Sequence, residues 1–132
     1  MGNNGQKAVI LGLLKAACRG ELRDEEEAWS AIELVLAGAA DPHQADKDQK
    51  ERLDQYIYAL SLIYAHQTGA MPGFTNGENE TRFERFVYAI PVPAGLRLTR
   101  NLVKAAIRRL DAKRNPRFAK DLRALKDISA AE

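Results

Sequence analysis

At 132 residues and 14.7 kDa the chain is long enough for one hydrophobic core and too short for two, and its composition, 45% apolar and 29% charged, excludes a disordered tail. The only cysteine, Cys18, excludes an internal disulfide and a cysteine-based zinc site and fits a reducing compartment, so the cytoplasm is the expected location. The net charge of +2 conceals a division: residues 1–96 hold nine Lys/Arg against fourteen Asp/Glu, a balance of −5, and residues 97–132 hold eleven against four, or +7.

Apolar residues recur with a period near 3.6 almost throughout, and no alternating run is long enough for a strand. The pattern predicts an all-α fold, a single-domain bundle of about five to six helices over residues 1–132, with an acidic part (1–96) and a basic C-terminal helix pair (97–132). The first helix is expected from Lys7 to Arg19, stopped by Gly20. Val9, Ile10, Leu11, Leu13, Leu14 and Ala17 surround most of it, which predicts a central or interfacial helix. Its apolar run, Ala8 to Cys18, is broken by Gly12 and Lys15 and is far shorter than the roughly 20 residues of a membrane span. Gln6 also stands where myristoylation after Gly2 requires Ser or Thr, so no membrane association is expected.

A second helix is capped by Asp24, with Glu25, Glu26 and Glu27 at the favourable end of its dipole; it ends at Gly38 and buries Trp29, Ile32, Val35 and Leu36. After a turn at residues 39–44, the longest helix is expected from Asp46 to Thr68. Leu53, Tyr56, Ile57, Leu60, Ile63 and Tyr64 share one face, and Tyr58 and Leu62 form a second apolar patch opposite, which either lies inside the domain or meets a partner. The Gly/Pro/Asn-rich stretch 69–79 reads as an exposed loop. A short helix from Glu80 to Ala89 carries Phe83, Phe86, Val87 and Ile90 at helical spacing before Pro91 and Pro93 end it.

The fifth helix starts after Thr99 and buries Leu102, Val103, Ala106, Ile107 and Leu110. Arg97, Arg100, Lys104 and Arg108 fall in one strip opposite that face at about 100° per residue. Asn115-Pro116 opens a sixth helix that buries Phe118, Leu122 and Leu125, while Arg117, Lys120 and Arg123 extend the positive charge. A dense basic surface attracts polyanions, and in a cytoplasm these are above all nucleic acids; a solvated basic helix pair is the bland alternative.

Groups for catalysis are scarce. His43 and His66 are not paired at metal-ligand spacing, and His66, near a helix end, reads as a dipole partner. Glu25 to Glu27 point around a helix and converge on nothing. The segment Gly2 to Lys7 lacks the strand, spacing and hydroxyl of a phosphate-binding loop, and Ser30 and Ser61 sit within helices. The expectation is a protein that is not an enzyme and needs no cofactor or metal.

In order, the chain presents Leu13-Leu14-Lys15 to Gly20, the pair Ala28-Trp29, a long helix ending Tyr64-Ala65-His66, a loop around Gly77, and basic helices at 100–113 and 116–127 closing on Phe118-Ala119-Lys120-Asp121-Leu122-Arg123-Ala124-Leu125. From Leu11 to Ile128 this resembles the small subunit of CRISPR Cascade surveillance complexes, the CasB-like family. The chain is short for that family, and its 75–80 loop is acidic where the family's is Gly-rich. The resemblance implies a helical, non-catalytic subunit that repeats along a guide-RNA filament and supports the R-loop by sequence-independent backbone contacts. Its implied partners are CRISPR RNA, target and non-target DNA, other subunits of the complex and further copies of itself. Carried over by position are Arg100, Lys104, Arg108, Lys113, Arg117, Lys120 and Arg123, with Arg82 and Arg85 on the short helix. Two other readings stand beside it: a helix-turn-helix regulator that uses the last two helices, and a protein-interaction or inhibitor module that uses Tyr58 and Leu62.

Overall fold

In the computed structural model the chain forms α1 (Asn3–Ala17), α2 (Glu25–Ala39), α3 (Gln49–Thr68), α4 (Arg82–Ala89), α5 (Arg100–Leu110) and α6 (Pro116–Ala131), with no strand among the described residues. The structure describes residues 3–18, 21–39, 48–73, 81–93, 95–110 and 115–131, with side chains from residue 5 in α1 and to residue 127 in α6. The fold is all-α, a single helical bundle.

Local sequence accounts for most helix boundaries. Asp24 Oδ1 accepts from the amides of Glu26 (3.0 Å) and Glu27 (3.1 Å) and so starts α2 as its position predicts. Thr81 and Glu84 form a reciprocal capping box at α4, and Asn115 Oδ1 accepts from the Arg117 amide at 2.9 Å in front of Pro116. Three starts differ from expectation, the first being α4, which opens at Arg82 behind its Thr81 cap rather than at Glu80. α1 begins four residues early, winding through Gly5, and α3 is capped by Asp48 rather than opened at Asp46, because the Asp48 side chain accepts from the Lys50 amide. Gly69 ends α3 in the left-handed conformation, φ 75°, where its amide reaches the Ala65 carbonyl. Gly20, the turn around His43, residues 74–80 and Lys113 lie outside the described residues.

Packing centres on α3, which touches all five other helices; α1 and α4 also pair with each other. Leu53, Tyr56, Ile57, Leu60, Ile63 and Tyr64 are all buried, as their shared face predicts. They meet Ile10, Leu11, Leu14 and Ala17 of α1, Ala28 and Ile32 of α2, Phe83, Phe86 and Val87 of α4, and Val103, Ala106 and Ile107 of α5 in one cluster. Tyr64 packs edge-on to Phe83, ring centroids 5.2 Å apart. The second patch of α3 is covered as well: Tyr58 and Leu62 pack with Leu122 against a small cluster of Ala65, Leu110 and Phe118. Of the two destinations that the sequence leaves open for this patch, the structure takes the interior one. Four apolar expectations fail, the first being Leu122 and Leu125 of α6, which are only partly buried. Val9 is 59% exposed, so α1 buries one face and is not enclosed, Leu102 is 37% exposed at the edge of α5, and Trp29, Val35 and Leu36 are only partly buried.

Candidate nucleic-acid interface

The inner face of α5 consists of Val103, Ala106, Ile107 and Leu110, and Thr99 Oγ1 accepts from the Leu102 amide at the entrance of the helix. Burial of that face fixes where the cations go. Arg100, Lys104 and Arg108 stand on one flank of α5, about 110° round the helix from the middle of the buried face rather than directly opposite it. Arg100 and Arg108 are exposed and Lys104 is half-buried. The opposite side carries Asn101 and Ala105, which line a shallow depression of about 350 Å³ together with Lys104 and Arg108.

The flank faces α4. The Arg100 guanidinium lies over the Tyr88 ring, 5.7 Å from its centroid, and Arg85, three residues before Tyr88, stands exposed on the same side of α4. Arg100 thus joins the row that continues through Lys104 and Arg108 to Tyr88 of α4, with Arg85 three residues before that ring. Tyr88 is not distinguished by the sequence, because its spacing is that of one more amphipathic position; the Arg at i−3 is the only local signal. Arg82 is exposed on another edge of α4, close enough to Tyr64 to hold that hydroxyl's proton affinity down, although burial raises it overall. Arg97 is exposed but precedes the helix, so helical spacing does not place it in the strip; its amide donates to Gln49 Oε1 at 2.9 Å.

The cations of α6 lie elsewhere. α6 packs on α3, and its outer face carries Lys120 and Arg123, both exposed. Arg117 lies over the Tyr58 ring at 4.8 Å and approaches Asp121 at 3.7 Å. Between the two helices, on the flank of α5 that faces α3, Arg109 is committed to Asp54: its Nε donates to both carboxylate oxygens at 3.0 Å and an Nη to one at 2.5 Å, which raises the guanidinium's affinity for its proton further. The basic third of the chain is therefore two surfaces, one on α5 and α4 and one on α6, with an acid-paired arginine between them. Lys113 lies outside the described residues.

The remaining titratable groups serve packing. His66 is buried in the last turn of α3, and its Nε2 lies 2.9 Å from Glu27 Oε1 of α2, which also accepts from Gln67 Nε2 at 2.9 Å. Glu25 and Glu26 pair with Lys15 and Lys7 of α1. The Cys18 thiol donates to the Leu14 carbonyl, and burial raises its pKa, so it stays a thiol. Ser61 donates back to the Ile57 carbonyl at 2.7 Å. Among the described residues no three His, Cys, Asp or Glu side chains are grouped to hold a metal ion, and no helix is long and apolar enough to cross a membrane. No family model, curated protein or solved structure matches the chain.

Proposed function

We propose that this protein is a non-catalytic nucleic-acid-binding subunit whose α5 flank lies along a sugar-phosphate backbone. The observation that carries this reading is the row Arg100, Lys104, Arg108, which advances by about 6 Å every four residues along one edge, with Arg85 and Tyr88 of α4 beside it. Phosphate contacts of this kind hold a strand without reading its bases. The resemblance to Cascade small subunits supplies the setting. There the guide RNA reads sequence in a cytoplasmic surveillance complex, and repeated copies of a small helical subunit hold the DNA strands of the R-loop.

Two features weigh against the alternatives. A helix-turn-helix regulator places one helix in the major groove with side chains that reach base edges, whereas the exposed face of α6 offers Lys120, Arg123 and Asp127, and both α5 and α6 use their inner faces on α3. An interaction module built on Tyr58 and Leu62 has lost that surface to α6.

Gel-shift titration over a salt series tests the reading. Binding to unrelated sequences with equal affinity, falling steeply as salt rises, is the expected result. Strong preference for one duplex sequence would instead favour the regulator, and absence of binding at low salt, both alone and with the other subunits present, would remove the assignment. Equilibrium binding in the assembled complex matters because weak single contacts add across neighbouring copies.

A further inference from the structure

Away from the basic flank, the C-terminal half of α2 and the N-terminal half of α3 enclose a half-open cleft of about 240 Å³. Its walls are mostly apolar, with Leu34, Val35 and Ala39 on one side, Ala59 beside the polar Gln55 on the other, and Leu96 from the segment before α5. Leu34 is 74% exposed at the rim, the most exposed large apolar side chain among the described residues.

The wall contributed by α3 contains an arginine. Arg52 is only 8% exposed, yet no carboxylate pairs with it among the described residues. One Nη donates to the Gly95 carbonyl at 2.7 Å and the other to the Ala39 carbonyl at 3.0 Å. A guanidinium has five N–H donors, so among the described residues its charge and part of its donor set are left unanswered. A buried ion without a counter-ion is costly, and two neutral carbonyls offset only part of that cost. One turn further along α3, Tyr56 also lines the cleft; it is 3% exposed, and its hydroxyl oxygen is wholly enclosed, with no hydrogen-bond partner among the described residues. Desolvated positive charge and aliphatic walls thus meet in one concavity.

We propose that this cleft binds a small apolar carboxylate, its carboxyl group against Arg52 and its hydrocarbon part between Leu34, Val35, Ala59 and Leu96. A carboxylate supplies a counter-charge and accepts planar, charge-assisted hydrogen bonds from a guanidinium. At protein packing density the cleft holds about 180 Å³ of ligand, on the order of ten non-hydrogen atoms. The occupant is therefore a medium-chain or aryl carboxylic acid and not a nucleotide.

The test is an NMR titration of the full chain with sodium octanoate, 1-octanol and octylammonium chloride. Octanoate is expected to shift the resonances of Leu34, Val35, Ala59 and Leu96 saturably, with octanol at least about tenfold weaker, since a hydrogen bond to a charged group is worth about that factor or more, and octylammonium without effect there. Arg52→Lys keeps the charge and loses the fork, and should weaken octanoate binding by about tenfold. Because Arg52 also ties Gly95 to Ala39, Ala59→Leu provides the second variant: about two turns further along the α3 wall, it fills the cleft, leaves the clamp intact and should abolish the shifts. Equal binding of octanol and octanoate would overturn the proposal, as would shifts elsewhere on the surface only, or undiminished octanoate binding by Ala59→Leu.

Discussion

The cluster around α3, α1 and α4 and the smaller one beneath α6 are held by different means. In the first, Phe83, Phe86, Val87, Ile57 and Leu60 are almost wholly buried and meet through apolar contact alone. In the second, a single fully buried ring, Phe118, packs with the buried Ala65 and Leu110 and the partly buried Tyr58, Leu62 and Leu122, beside a polar seam in which the Tyr58 hydroxyl donates to Asp121 at 2.5 Å and Arg117 covers the Tyr58 ring. The difference teaches how to divide the basic third of the chain. The cations of α5 stand on a helix whose inner face joins the large core through Val103, Ala106 and Ile107 and reaches the small one only through Leu110, and those of α6 stand on one attached through the small cluster. They are unequal platforms for a ligand.

Phe86→Ala should strike hardest, removing a ring with no exposed surface from the large core at a cost of about 3–5 kcal/mol and lowering the melting temperature of every helix together. Phe118→Ala leaves a similar void, but the loss should be smaller and local. Hydrogen exchange is expected to speed up in α6 while the amides of α3 and α4 keep their protection, and uniform loss of protection would show that the two clusters form one cooperative unit. Next comes the comparison of charge reversals. Lys104→Glu with Arg108→Glu should weaken nucleic-acid binding by about 10- to 100-fold, and Lys120→Glu with Arg123→Glu by distinctly less, each with an unchanged helical signal. Equal effects would merge the two surfaces into one site.

The smallest effect is a pH dependence of the α6 seam. Burial, and then the hydrogen bond to Asp121, push the Tyr58 hydroxyl up to about 12 from its ordinary value near 10, with Arg117 opposing. The folded state therefore holds this proton more tightly than the unfolded state does. Its contribution is complete below about pH 10 and is lost as the pH climbs through about 12. Tyr58→Phe should cost about 1 kcal/mol at neutral pH and flatten the alkaline part of the stability curve. An unaltered alkaline limb would assign that titration to other groups.

Periodicity made much of this legible. The buried face of α3 follows residue for residue from its 3.6 spacing, as does the inner face of α5 apart from Leu102, which sits at the edge of the stripe where helical spacing does not separate rim from core. Asp24, Thr99 and Asn115 announce their helices because a capping side chain acts within three residues. Asp46 and Asp48 are equivalent in sequence, and only the geometry of the Lys50 amide distinguishes them. The long-range features were hidden. Nothing near Arg52 marks it for burial, because the carbonyls that receive it belong to Ala39 and Gly95. The pairing of Arg109 with Asp54 spans 55 positions, so a count of C-terminal charges includes a cation that is already neutralised.

One consequence follows from the way five helices lean on α3. Each of them can vary its outward residues while answering to few neighbours, whereas a change in the middle of α3 is felt in several directions at once. Diversification of such a protein is expected to run around its perimeter, with the long helix as the slowest-changing part of its history.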